Sequence, residues 1–555
     1  MQPDAAPTDI DVLILGAGIN GAGLFRDLCA QGLTCVISDK GDFGSGTSAA
    51  PSRLIHGGIK YLETGEFRLV AQSTLERNLL LRNAPHYVTA LPTVIPIFSW
   101  LRGIPAAIRT LFGSTTAPRA RGAVLIKIGL ALYDFYGARA RVMPRHAMWS
   151  RARALREIPP LTPRIVAAGT YYDAKVSHPE RLVLDLVMDG LRLCPAARAF
   201  THSQTTSDGA TITFAPPDAP PQTFRPRLTI NATGPWIDRV NASLGIESAL
   251  IGGTKGSHIL LDHPALLAAL NGMMIYFEAD DGRICLVFDH LGRALVGSTD
   301  IRADDPDTVT CEPDEIAYFL QSLRSLLPGL AFDESQIVYA YSGIRPLPRS
   351  DGTATGLISR DHSAPVAEAA GARTWPVISL VGGKWTTFRG FAEEVADTVL
   401  ARLGGARTLS TRDMAIGGGR DFPARPADWV ADSAARMGCP PARVATLLAR
   451  YGTGAIEILT HEGPLPKALP DAPDWTEAEI DWIARNEHVQ RLEDMILRRT
   501  DLAITGRLTL AALTRMAEIT GAALDWDDAR RLAEITATRA LLATRHSART
   551  MAEGA

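Results

Sequence analysis

Ile10-Asp11-Val12-Leu13-Ile14-Leu15 runs directly into Gly16-Ala17-Gly18-Ile19-Asn20-Gly21, and the reading of this stretch decides the fold. The first six residues are largely apolar and of strand length, the glycines break the run, and a helical stretch follows to about Gln31. A second short run, Leu33 to Ser38, ends in Asp39, 18 residues after Gly21. Strand, glycine turn, helix and strand make a βαβ unit of the dinucleotide-binding kind. Gly16 makes the tight turn, Gly18 lets the backbone approach a pyrophosphate, and Gly21 lets helix and strand pack closely. The helix N-terminus faces the phosphate charge. Asp39 stands where a carboxylate binds a ribose hydroxyl, and its charge disfavours the 2′-phosphate of NADP. NAD and FAD both stay open at this point.

The chain around this unit has 555 residues, too many for one hydrophobic core. At 46% apolar and 21% charged it matches neither a disordered, a collagen-like nor a coiled-coil chain. Its 57 basic and 60 acidic side chains leave a net charge of −3, so no whole-chain field draws it to nucleic acid, and no nucleic-acid partner is expected. None of the six cysteines stands in a C-x-x-C spacing, which argues against a zinc ribbon, an iron–sulfur cluster or a dithiol pair. They read as reduced thiols, and no metal site is expected. Met1 to Asp9 lacks the basic and apolar regions of a secretory signal, and the apolar run Ala123 to Tyr133, interrupted by Lys127, is too short to span a membrane. A cytoplasmic location is the expectation.

Three further stretches read as ligand loops. Gly46 to Glu63 gathers Thr47, Ser48, Ser52, Arg53, Leu54, His56, Gly57, Lys60 and Tyr61, a mixture of hydroxyls, glycines and cations that would be odd as core. Asn231-Ala232-Thr233-Gly234-Pro235-Trp236 ends a short apolar strand, and Gly382-Gly383-Lys384-Trp385-Thr386-Thr387 is a glycine turn before a helix. Small residues at such turns let backbone approach a flat ring.

With Lys255-Gly256-Ser257-His258, Gly297-Ser298-Thr299-Asp300 and Tyr341-Ser342-Gly343-Ile344-Arg345-Pro346-Leu347, these strings occur in the order of the FAD-dependent glycerol-3-phosphate dehydrogenases, which the chain resembles. Tyr451-Gly452-Thr453 and Leu492 to Thr500 extend the resemblance into the tail. It implies an α/β fold: an FAD-binding Rossmann-like domain of the glycine-oxidase-like group, a mixed-sheet substrate domain and a C-terminal all-α domain. It also implies FAD as cofactor and a polyol phosphate as substrate, with membrane quinone taking the electrons. Consistently, no second complete GxGxxG is found.

Such an oxidation needs a hydride-donor carbon near the flavin, a proton acceptor and fixed cations for the phosphate. The resemblance implies Arg345 and Arg360 as substrate-pocket arginines, His258 as the proton acceptor, and Lys384 beside the flavin. A structural, hydrogen-bonded histidine is the alternative at 258. His56 is assigned to the flavin side. Lys60 and Tyr61 complete the substrate residues, and Lys60 stands where the family commonly has arginine, while Arg53 stands where it commonly has lysine. Lysine offers a point charge on a flexible stem, leaving room for a four-carbon polyol phosphate such as erythritol phosphate, an alternative beside glycerol 3-phosphate.

The resemblance divides the chain into interleaved FAD- and substrate-binding domains over 1–406, with about 1–90, 160–255 and 340–400 alternately serving the nucleotide core and its substrate-binding sheet, and a helical domain over 407–555. Phe98 to Arg156 holds eleven cations against one acid, Asp134, interleaved with apolar residues. That pattern suits an interfacial helix on the inner face of the cell membrane, with a solvated basic excursion as the alternative. A homodimer is left open, as is oxygen in place of quinone.

Overall fold

The computed structural model describes residues 6–62, 65–101, 122–138, 142–303, 305–350 and 361–548, without the side chain of Lys60. The strand Thr8–Leu15 pairs in parallel with Cys35–Ser38 on one side and Gln222–Asn231 on the other, and Val377–Ser379 extends the sheet in parallel beyond that. Alternate residues feed two cores. Val12, Ile14, Ile37 and Ile230 pack under the helices Ile19–Ala30, Pro179–Leu193 and Phe388–Leu403, while Leu13, Leu15, Val36 and Val377 meet Phe214, Phe224 and Trp375 on the other face. Burial on both faces explains the near-continuous apolar run.

The second sheet is mixed. Its strand Met274–Glu278 is parallel to Val88–Ile97 and antiparallel to Ile284–His290. Next to one edge Thr254–Leu261 lies between Arg293–Gly297 and Ile337–Arg345. Here too the two-residue period splits the side chains. Ile259, Leu261, Ile275, Val287 and Val296 pack with Phe319 and Leu323 of the helix Pro313–Leu326. Leu260, Phe288, Leu295, Tyr339 and Tyr341 share a core with Trp475, Ile480, Leu513 and Met516 of the C-terminal region. The C-terminal region therefore roofs the face of the sheet that carries His258, two residues before Leu260.

That region is mainly helical, from Pro426–Met437 through Asp528–His546, and differs from the all-α expectation by one short hairpin, Ala468–Leu469 with Ala472–Thr476. It is also tied to the nucleotide sheet by buried charge. Arg499 grips both oxygens of Asp42 at 2.7 and 2.9 Å, and Arg181 grips Glu487 at 2.6 and 3.1 Å. All four side chains are buried. Removing one member of such a pair leaves an uncompensated charge, at a cost of about 3–5 kcal/mol.

Candidate active site

A cleft of about 1400 Å³ begins at the first glycine turn and ends on the second sheet. At Gly16 the backbone has φ +94°, and a Cβ there would sit 2.7 Å from the Ala232 carbonyl oxygen. Only glycine brings the two turns this close. The Ile19 amide donates to Ser48 Oγ at 2.9 Å, so a hydroxyl of the ligand loop caps the helix whose N-terminus faces the cleft. Asp39 accepts from the Ala17 amide at 2.8 Å and the Gly41 amide at 2.9 Å. These bonds favour its charged form, but burial outweighs them and raises its pKa.

Gly18, Thr47, Leu54, His56, Thr233, Gly234, Gly383, Trp385 and Thr386 all line this cleft with Gly16, Asp39, Ser48, Ser52 and Ala232. Thr47 Oγ1 donates to the Ile344 carbonyl at 2.6 Å, and Asn20 Nδ2 to the Gly382 carbonyl at 3.4 Å, so both flanking loops are tied to the first helix and its ligand loop.

Three residues expected at the cofactor, Gly21, Arg53 and Gly57, are not among those lining the cleft. Gly21 is a packing position, where a Cβ would meet the Gly16 carbonyl oxygen. The Gly57 amide points away from the cleft and donates to Tyr133 Oη at 2.8 Å and Asp173 Oδ1 at 3.1 Å. Arg53 turns its guanidinium into a buried ion pair with Glu180, at 2.7 and 3.3 Å. Its backbone has φ +55°, which aims the side chain away from the cleft lined by its neighbours Ser52 and Leu54.

At the far end His258, Arg345, Lys384 and Tyr61 line the same cleft. His258 is 1% exposed, stacks on Tyr341 with ring centroids 4.9 Å apart, and has Nε2 2.9 Å from Ser52 Oγ. Burial pushes its pKa well below the usual histidine value, and the Arg345 and Arg53 cations push the same way, so the imidazole is neutral at physiological pH. Arg345 is held by Ser298 Oγ, Asp300 and the Thr299 carbonyl at 3.1–3.2 Å. Lys384 Nζ meets Ser73 Oγ at 2.9 Å and lies 4.4 Å above the Tyr61 ring. Ser73 had no signal in local sequence pattern, because it meets Lys384 across 311 residues, and the strings holding Asp300 and Tyr341 did not show that these would brace Arg345 and His258. Arg360 and the side chain of Lys60 lie outside the described residues.

Residues 11–389 match the family of FAD dependent oxidoreductases, and residues 409–531 match the C-terminal domain of alpha-glycerophosphate oxidase. The chain is 31% identical to a Synechocystis glycerol-3-phosphate dehydrogenase, with 90% of each chain covered. The chain belongs to the FAD-dependent glycerol-3-phosphate dehydrogenase family. A D-erythritol 1-phosphate dehydrogenase from Brucella abortus is 28% identical over 89% of this chain and 95% of its own. In fold, the glycerol-3-phosphate dehydrogenase of Bacillus halodurans complexed with FAD superposes with a TM-score of 0.73 at 19% identity, covering 97% and 95% of the two chains.

FAD is the family's cofactor, and the residues present fit it. The cradle a Cβ would fill at Gly16, the carboxylate of Asp39 and the length of the cleft suit an extended dinucleotide. Gly16, Gly18 and the capped helix would hold the pyrophosphate, and the Gly382–Gly383 turn with Lys384 would hold the ring end. A fixed lysine there favours negative charge on the reduced ring.

Proposed function

We propose that the protein oxidises a polyol phosphate, sn-glycerol 3-phosphate to dihydroxyacetone phosphate, and passes the electrons to membrane quinone. The observation that carries this reading is the convergence of a neutral buried histidine, His258, with the cations Arg345 and Lys384 at one end of the dinucleotide cleft. FAD supplies the two-electron acceptor when bound. Arg345, fixed by its bonds to Ser298, Asp300 and Thr299, presents a guanidinium for the substrate phosphate. His258, neutral in this setting, takes up the hydroxyl proton, and Lys384 supplies positive charge at the reacting end.

A four-carbon substrate is the second reading, and Lys60 favours it. The buried Arg53–Glu180 pair removes Arg53 from the argument, so the cation exchange reduces to Lys60 alone.

Membrane contact is supported by the helix Ala123–Tyr136. Ile126, Leu130 and Tyr133 are buried, while Val124, Ile128, Leu132 and Phe135 stand exposed on the opposite side, Phe135 by 73%. Trp100 and Leu101 are also exposed. An exposed apolar stripe beside the exposed Lys127 suits the surface of a bilayer. No helix among the described residues is long and apolar enough to cross one. The basic stretch 102–121 lies outside the described residues.

Anaerobic mixing with glycerol 3-phosphate and, separately, D-erythritol 1-phosphate tests the reading through bleaching of the flavin. Faster bleaching by the three-carbon compound supports the first substrate, and bleaching by the four-carbon compound alone supports the second. A flavin that neither compound bleaches overturns both. Hydrogen peroxide formed under air at the turnover rate would replace quinone with oxygen.

A further inference from the structure

At the end of the cleft His258 and Ser52 form a hydrogen-bonded pair, and its more exposed member is Ser52. His258 Nε2 is engaged by Ser52 Oγ at 2.9 Å, and Nδ1 is buried without a hydrogen-bond partner among the described residues. Ser52 is only half-buried and lines the cleft. Its position is held on both sides. The preceding carbonyl, Pro51, accepts from Tyr341 Oη at 2.8 Å, and the following side chain, Arg53, is locked to Glu180. Tyr341 in turn stacks on the imidazole, with the rings 15° from parallel. On the opposite side the imidazole lies against Gly297, where a Cβ would sit 2.1 Å from His258 Cδ2. Serine and histidine are thus fixed relative to each other by three separate strands.

Resting on the reading of the protein as a polyol-phosphate dehydrogenase, we infer that Ser52 relays the substrate's hydroxyl proton to His258. The substrate O–H bond breaks and its proton goes to Ser52 Oγ, as the proton already on Ser52 passes to His258 Nε2. The carbon–oxygen bond becomes a carbonyl, and hydride leaves the carbon with its electron pair. The alcohol is oxidised and FAD is reduced. A serine that only contacted the cofactor would have no need of a rigid bond to a buried imidazole. The hydrogen bond serves this role with Ser52 donating to a bare Nε2, which is the form that a proton acceptor requires.

Wild type, Ser52→Ala and Ser52→Thr, each loaded with FAD, are mixed anaerobically with glycerol 3-phosphate and with D-erythritol 1-phosphate. Loss of a positioned proton-transfer group lowers the rate by about 100-fold or more. The expected result is that loss in Ser52→Ala, with unchanged substrate affinity, and recovery of most of the rate in Ser52→Thr. A Ser52→Ala protein reduced at the wild-type rate overturns the relay and leaves the function standing. A wild-type flavin that neither compound reduces overturns the functional reading and the relay with it. A second readout needs no turnover: in protein labelled with 15N-histidine, Ser52→Ala is expected to move the Nε2 resonance of His258 toward that of an unbonded nitrogen. An unmoved resonance also overturns the relay.

Discussion

Arg53 and Glu180, on a ligand loop and the helix Pro179–Leu193, meet in a two-pronged ion pair with side chains only 5% and 8% exposed. The pair pins the loop just after Ser52. Arg53→Met strands the Glu180 charge in the interior, and the expected cost is about 3–5 kcal/mol in urea unfolding. The double variant Arg53→Met with Glu180→Met removes both charges and recovers most of that loss. A single variant as stable as wild type would show that the pair carries no burden.

Gly16 holds φ +94° with the Ala232 carbonyl where a Cβ would stand. In Gly16→Ala the strained conformation alone costs about 1–2 kcal/mol, which weakens cofactor binding by about tenfold, and the clash adds to this. The measurement is flavin absorbance per chain after gel filtration. Full occupancy in the variant would remove Gly16 from the cofactor cradle.

In the proposed reaction Arg345 has two parts, a cation for substrate phosphate and one of two cations that hold the His258 pKa down. Arg345→Ala is expected to raise KM by about 100-fold, in line with the 2–5 kcal/mol of a truncated charge pair. Removing the cation also makes protonation of His258 easier, so the acid limb of the pH–rate profile moves to higher pH. An unchanged KM takes Arg345 out of the phosphate site, and an unmoved acid limb takes it out of the electrostatics of His258.

His178, His258, His290 and His546 all have pKa values lowered by burial, that of His546 to about 4. Each is neutral in the folded protein and takes up a proton in the unfolded chain below about pH 6.5. Their stabilising contribution is therefore complete above pH 6.5 and is lost as pH falls toward their folded values. Thermal unfolding followed from pH 7.5 to 4.5 should show Tm falling from about pH 6.5 downward, and a flat profile across that window would contradict it.

Ile128 and Phe135 are 54% and 73% exposed on the helix Ala123–Tyr136, so glutamate at either position leaves the core intact. If this stripe enters the interfacial layer of a bilayer, Ile128→Glu with Phe135→Glu abolishes co-sedimentation with vesicles of anionic phospholipid while flavin content stays constant. Equal sedimentation of the double variant and wild type would move the membrane contact elsewhere.

The dinucleotide unit from Ile10 to Asp39 was legible in the sequence because its demands are local: a strand's worth of apolar residues, a turn that tolerates positive φ, and a helix N-terminus close behind. The turns at Asn231–Trp236 and Gly382–Thr387 were legible for the same reason, and the structure brings both to one cleft. Not legible was that the Arg53 side chain and the Gly57 amide are claimed by Glu180, Asp173 and Tyr133, which lie between 76 and 127 residues away. Which residues meet there is set by sheet register and helix packing, and no local pattern encodes it. The pairing of Ser52 with His258 across 206 residues belongs to the same class. Thus the sequence by itself determined the cofactor fold and the chemical types available to the site. The tertiary structure decided which hydroxyl meets which imidazole, because a hydrogen bond needs two groups within about 3 Å, and only the packed sheets bring them there.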